Sequence, residues 1–296
     1  MRHKVRKAMV WFAACAAGFI RVEGARSEMV TRAVESGGGT LVYSVGGSGS
    51  TVLLFIHGWA CDRTFWREQL PVFAKKYRVI ALDLAGHGDS SLVHRRWTIE
   101  ALGRDVETVV RAEDLRRAVL IGHSLGGPVA LVAARRLKGR VVAVIGVETL
   151  HSVEDRIPEE VVQQTTAQLR EDFEALLRKL TIPAFHPSGR KLAEWVVQRA
   201  LKSNHDAVIE LIPAVQNFDT ASAMLEAGVP VRCINAAEGG PATQHTAVAR
   251  NRKHGDYAVE FMNGAGHFLM LENPREFNAR LGALLHELLS PASDAR

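Results

Sequence analysis

The sequence predicts an α/β fold, with a mostly parallel central sheet, helices on both faces and a helical insertion over one end. Three observations carry this. Short aliphatic runs recur along the chain at 51–56, 77–82, 118–121, 141–147, 231–234 and 257–262. They are apolar nearly throughout rather than alternating, as in strands buried on both faces of a parallel sheet. Between most of them lie stretches of helical periodicity, and strands separated by helices of that length form right-handed βαβ crossovers. One interval, 152–228, has helical periodicity and no strand-like run.

Taken in order, 31–36 and 40–45 form a hairpin turned by Gly37-Gly38-Gly39. Gly46-Gly47-Ser48-Gly49 then leads into the first buried strand at 51–56. Helical patterns cover 65–76, 99–112, 125–137 and 274–289. Pro274 suits the first position of the last of these, where its missing N–H costs nothing. Within the long interval, 157–180 and 192–201 carry apolar residues at three- and four-residue spacings with charges between. The expected organisation is a core domain from 28–150 and 229–296, interrupted by a helical cap or lid at 151–228. No internal repeat or low-complexity linker is visible.

Composition excludes several classes of function. With 296 residues, 47% hydrophobic and 23% charged, the chain can bury a substantial core and is not of disordered type. Three cysteines, at 15, 61 and 233, build neither a disulfide framework nor a zinc pattern. The net charge of +5 is concentrated: residues 1–24 carry +4 and the remaining 272 carry +1. A nucleic-acid partner therefore loses its main support. The basic N-terminus reads as an export signal instead. Arg2, Lys4, Arg6 and Lys7 precede a charge-free run at 9–20, and Val22-Glu23-Gly24 supplies small residues at the cleavage positions. A helix over that run spans about 18 Å, short of the roughly 30 Å hydrocarbon core, so no stable membrane span is expected. The expected location is periplasmic or secreted after removal of 1–24; a lipid anchor at Cys15, in the lipobox-like Phe12-Ala13-Ala14-Cys15, is the alternative. The mature chain keeps Cys61 and Cys233, expected to stay reduced.

The chemistry sits at strand ends. Gly122-His123-Ser124-Leu125-Gly126 matches G-x-S-x-G between a strand and a helix. A nucleophile there occupies a sharp, strained turn, and small residues two before and two after it let strand and helix pack closely. The helix N-terminus favours developing negative charge. With His57-Gly58-Trp59, with Asp83-Leu84-Ala85-Gly86-His87-Gly88-Asp89-Ser90, and with Gly264-Ala265-Gly266-His267-Phe268 followed by Glu272-Asn273-Pro274, the chain resembles the α/β-hydrolase superfamily over residues 30–290. The resemblance implies the α/β-hydrolase fold and a Ser–acid–His machine with a cap inserted where the helical interval lies.

On that resemblance Ser124 is the nucleophile and His267 the general base that activates it and later protonates the leaving group. The oxyanion positions are the backbone N–H groups of Trp59 and Leu125. The Trp59 ring is expected either to wall the acyl pocket or simply to pack. His57 and His87 fall in turn motifs and read as structural, His123 is the variable elbow position, and Asp83 and Asp89 are turn residues. The acid departs from the superfamily's commonest pattern, an aspartate just after the strand at 231–236. That stretch holds none, and Glu238 is its only carboxylate. Glu148 closes the strand at 141–147, 24 residues after Ser124, similar to the placement in one group of haloalkane dehalogenases. A carboxylate ending an apolar strand is costly to bury unless it is used. We take Glu148 as the acid, because it follows a rigid element, and Glu238, beside Gly239-Gly240, as the alternative.

A serine rather than an aspartate at the elbow points to acyl transfer to water on a small-molecule substrate: a carboxylic ester or a related acyl bond. Other acyl-bond hydrolases, carbon–carbon hydrolases and acyltransferases share the same triad. A receptor-like relative with little turnover is the reading from a different class. No metal cluster, phosphate loop or dinucleotide fingerprint is present, so no cofactor and no metal are expected. The oligomeric state is not legible.

Overall fold

The structure, a computed structural model, describes residues 28–91, 96–237 and 241–290, with side chains for all of these but 241–245. The stretch read as an export signal, with Cys15, lies outside the described residues, as does Glu238.

An antiparallel hairpin, β1 (Val30–Ser36) and β2 (Gly39–Gly46), opens the fold. Its register pairs Ser36 with Gly39, so the turn is just Gly37-Gly38, both at positive φ. That is the twist a two-residue hairpin requires, and glycine adopts it without strain. β3 (Val52–Ile56) follows, then a 3₁₀ turn at Arg63–Trp66 and the short α1 (Leu70–Phe73). The continuous helix expected over 65–76 does not form. Pro71 has no N–H to donate into a preceding turn and sits instead in the first turn of α1. β4 (Arg78–Leu82) leads to α2 (Ile99–Ala112), started by Thr98, whose hydroxyl accepts from Ala101 N at 3.0 Å. β5 (Ala118–His123), α3 (Gly126–Arg136) and β6 (Val141–Val147) complete the first half.

Five helices then follow without a strand: α4 (Glu159–Glu171), α5 (Phe173–Thr181), α6 (Ala193–Ala200), α7 (His205–Gln216) and α8 (Thr220–Ala227). Asp172, Asn204 and Asp219 cap the N-termini of α5, α7 and α8. The chain returns through β7 (Val231–Ala236), α9 (Pro241–Asn251), β8 (Tyr257–Met262), the single turn α10 (Leu269–Glu272) and α11 (Pro274–Leu289).

The eight strands form one sheet in the order β1-β2-β4-β3-β5-β6-β7-β8, with β2 antiparallel to β4 and every pairing from β4 onward parallel. Both faces are buried. Leu54, Ile56 and Leu120 join one apolar cluster with α2, α3 and α8; Leu53, Phe55, Val119 and Ile121 join another with α10 and α11. The period-2 alternation that would separate core from solvent here separates two cores. The chain steps from β3 to β4 on one side and then crosses back through α2 to β5 on the other, which opens a crevice at the carboxyl ends of β3 and β5.

A third cluster gathers over that crevice: Leu169 from α4, Phe173, Leu176 and Leu177 from α5, Val197 and Ala200 from α6, Val208 and Ile209 from α7, and Ala60 from the loop after β3. α8 takes no part in it. It packs on α3, with Ala223, Met224 and Ala227 in the sheet-side core, so the final helix of the 151–228 interval belongs to the layer covering the sheet. Among the described residues no helix is long and apolar enough to cross a membrane.

Candidate active site

Ser124 stands between the end of β5 and the start of α3 with φ +51°. A non-glycine residue in this region is strained, and the surroundings hold it there. Its N–H donates to Val147 O (3.0 Å), and its carbonyl accepts from Gly127 N (3.0 Å) and from the Thr149 hydroxyl (2.7 Å). The glycines on either side are demanded by distance. A Cβ on Gly122 would lie 2.2 Å from Gly126 O, and one on Gly126 would lie 2.5 Å from Ile56 O. The spacing in the motif is therefore a packing requirement of helix against strand.

His267 follows β8 on a loop held at three points. Its own N–H donates to Ala184 O at 2.8 Å, tying the loop to the segment after α5. Glu272, from α10, accepts from Gly266 N and Phe268 N (both 3.1 Å) through Oε1 and from His186 N (2.9 Å) through Oε2. Burial raises the Glu272 pKa, and these three donors oppose that rise. Glu272→Gln places an amide NH₂ against at least one of the three N–H groups, whichever way the amide turns. The expected loss is about 1–3 kcal/mol of stability, read as a lower urea midpoint; an unchanged midpoint would show that the carboxylate does not hold the loop.

The histidine within the elbow is a residue that sequence reasoning passed over. His123 is buried, its Nε2–H donates to His267 O at 2.9 Å, and the two rings lie 4.9 Å apart. Burial pushes its pKa down to about 4. His123 thus buttresses the His267 loop as a neutral ring. No spacing signals this, because residues 123 and 267 meet only when the ends of β5 and β8 come together. His57 is structural as expected: Nδ1–H donates to Gly58 O (2.8 Å) and Nε2 accepts from Leu84 N (3.0 Å).

Ser124 and His267 line one cavity of about 280 Å³. Its walls are mainly apolar, from Trp59, Leu177, Val196, Ala200 and Phe268 among others, and none of its lining residues is Lys, Arg, Asp or Glu. Trp59 both lines the cavity and packs: its indole N–H donates to Val208 O at 2.6 Å, fastening the loop after β3 to α7. A second fastening lies behind it, where buried Asp62 pairs with Arg199 of α6. The backbone N–H groups of Trp59 and Leu125 have no acceptor among the described residues. Leu125 is the first residue after the serine, at the N-terminus of α3.

Glu148 directly follows β6, whose Val147 pairs with His123 of β5, so it emerges beside Ser124. It has φ +48° and its side chain is 12% exposed. Its Oε2 accepts from Ala236 N at 2.5 Å. The pKa of His267 is lowered to about 3, chiefly by burial and then by His123, with a smaller contribution from His151; the Glu148 charge opposes that fall. The structure thus places Ser124, His267, Glu148, Trp59 and Leu125 at one end of the sheet, with no hydrogen bond between the Ser124 hydroxyl and His267 and with the Glu148 oxygens engaged by Ala236 N and His151 rather than by His267. Cys61 and Cys233 are free and buried. Among the described residues no group of three or more His, Cys, Asp or Glu is arranged to hold a metal ion.

The chain belongs to the alpha/beta hydrolase family, whose sequence model matches residues 53–280. Among curated relatives, it is similar to the dihydrolipoyllysine-residue acetyltransferase component of the acetoin cleaving system of Pseudomonas putida, 38% identical over 108 residues. That match covers 36% of this chain and 29% of the relative, under a third of the relative's length. An uncharacterized protein of Mycobacterium tuberculosis, Rv2715, is 25% identical over 259 residues, covering 79% of this chain and 75% of the relative. Among solved structures, a bromoperoxidase from Bacillus anthracis superposes with TM-score 0.75 at 18% identity, over 87% of this chain and 99% of the other. A thermophilic esterase from Thermogutta terrifontis superposes with TM-score 0.74 at 22% identity, over 89% and 100%. At these identities the structural likeness speaks for the fold.

Proposed function

We propose that the chain is a serine hydrolase of carboxylic esters or closely related acyl bonds, acting through Ser124, His267 and Glu148. The observation that carries this reading is the strained Ser124 at a strand–helix turn, sharing one apolar cavity with a histidine that stays neutral. In the proposed reaction His267 accepts the Ser124 hydroxyl proton as Oγ attacks the acyl carbonyl. The unpaired N–H groups of Trp59 and Leu125 receive the developing oxyanion, where fixed donors stabilise charge without reorganising. His267 then returns the proton to the departing alcohol, leaving an acyl-serine. A water, deprotonated by the same imidazole, attacks that acyl group and releases the acid. Glu148 steadies the imidazolium formed in both steps.

The cavity supports an uncharged, largely apolar acyl substrate. A charged group would be desolvated there with no counter-ion among the lining side chains. The esterase with a similar fold is consistent with this but does not carry it.

Turnover of short-chain nitrophenyl esters tests the reading, and its pH dependence tests the base. His267 must be neutral to accept a proton, and its folded pKa of about 3 lies below the ordinary 6.5. Activity is therefore expected to persist as pH falls through 6.5 and to be lost only as the folded pKa is approached. The acid limb of kcat/KM should lie below about pH 5. Stability runs the other way. The unfolded chain takes up protons at its histidines below 6.5 while His123 and His267 do not, so stability declines as pH drops toward their folded values. Circular dichroism at each pH separates the two effects. No ester turnover, or an acid limb at or above 6.5 in folded protein, contradicts the reading.

A further inference from the structure

Glu148 is gripped by more than the backbone. Asn235, buried at the end of β7, forms a two-point pairing with the main chain of Thr149: Oδ1 accepts from Thr149 N at 3.1 Å and Nδ2 donates to Thr149 O at 3.0 Å. That pairing fixes which way the amide points. The second Nδ2 hydrogen then faces His151 Nδ1 at 3.3 Å. Because Nδ1 is obliged to accept, the proton of the neutral imidazole resides on Nε2. His151 Nε2 lies 3.3 Å from Glu148 Oε1, while Ala236 N holds Oε2. Polar contacts thus run from Asn235 through His151 to the carboxylate, the last of them a 3.3 Å charge contact and not a hydrogen bond of good geometry.

The geometry points to His151 as a positioning residue of the reaction, a second imidazole that orients the Glu148 carboxylate toward its place beside His267. This rests on Glu148 being the triad acid. A glutamate has one more rotatable bond than an aspartate and a correspondingly larger choice of rotamers. Here one oxygen is pinned by a strand-end N–H and the other by a ring whose tautomer is set from β7. The His151 side chain is about half exposed, at 52%, and it is absent from the lining of the cavity that holds Ser124. It acts on the reaction through its neighbours: through Glu148, which it touches, and through its charge on His267.

The test is a double-mutant cycle on the full chain with a nitrophenyl ester. His151→Ala is expected to lower kcat by about fivefold, the upper worth of a partly exposed charge contact, with KM within about twofold. His151→Gln presents Nε2–H toward Glu148 and Oε1 toward Asn235, and should recover most of the loss. In the Glu148→Gln background His151→Ala should cost much less than it does alone, since the carboxylate it orients is already gone. Thermal melts of each variant report the fold independently. Unchanged kcat in His151→Ala overturns the proposal while leaving the triad intact, as do losses that add fully across the cycle or a glutamine variant no better than alanine. If Glu148→Gln is itself fully active, the assignment of the acid fails and this proposal falls with it.

Discussion

Ser124→Ala is expected to abolish ester turnover, with kcat falling by about 10⁶-fold to the level that binding and oxyanion stabilisation alone supply. The change removes one oxygen and nothing structural. Alanine and serine tolerate the φ of +51° equally poorly, so the strain of the elbow is kept. The hydrogen bonds that fasten the turn all use the residue's main chain: its N–H to Val147 O, and its carbonyl to Gly127 N and the Thr149 hydroxyl. The melting temperature should therefore shift little while kcat collapses. Stopped assays at high enzyme concentration, beside a thermal melt, measure both. Residual activity within tenfold of the unaltered protein would mean that another group attacks the carbonyl.

Glu148→Gln is expected to cost about 10⁴-fold in kcat, the scale seen when a triad acid loses its charge with its shape preserved. An amide can still accept from Ala236 N through its oxygen, which turns the NH₂ toward His151 and away from an accepting role. His267, already disfavoured as a cation by burial and by His123, then loses the charge that opposes that fall. The imidazolium required in the transition state becomes correspondingly harder to form. Glu238→Gln should cost little by comparison. If the glutamine at 238 is the damaging one and that at 148 is benign, the acid has been assigned to the wrong strand end. Because KM reports ground-state binding in a cavity that Glu148 does not line, the loss should appear in kcat.

The fold was legible where local chemistry and burial agree. β6, β8, α2 and α11 begin and end where the aliphatic runs, the helical periodicity and Pro274 say they should. The sequence misled where a single residue decides. Pro71 splits a helix that periodicity alone would run from Phe65 onward. α7, capped by Asn204, shows no single apolar stripe in the sequence because more than half of its residues are apolar and it packs between the helical layer and the sheet-side core. The candidate site was legible to the extent that motifs are local: the elbow glycines stand out by spacing, and the loop of His267 and the residue after β6 by their resemblance to the superfamily's pattern. What spacing could not show is the set of contacts that converge from distant segments. His123 under His267 and Asn235 on Thr149 and His151 join residues brought together by the order of β5, β6, β7 and β8 in the sheet, and Glu272 reaches across to His186 from the last strand's loop to the helical layer.

A fluorophosphonate probe, read out by intact mass and by sequencing of the labelled peptide, tests the central assignment most directly. The probe reacts only with a serine whose proton can be taken and whose oxyanion is received, so it samples the proposed machinery without requiring the natural substrate. The expected result is one adduct per chain, located on Ser124, absent from Ser124→Ala and formed far more slowly in His267→Ala. An adduct on any other residue, or labelling that survives unchanged in Ser124→Ala, would contradict the assignment of Ser124 as the nucleophile.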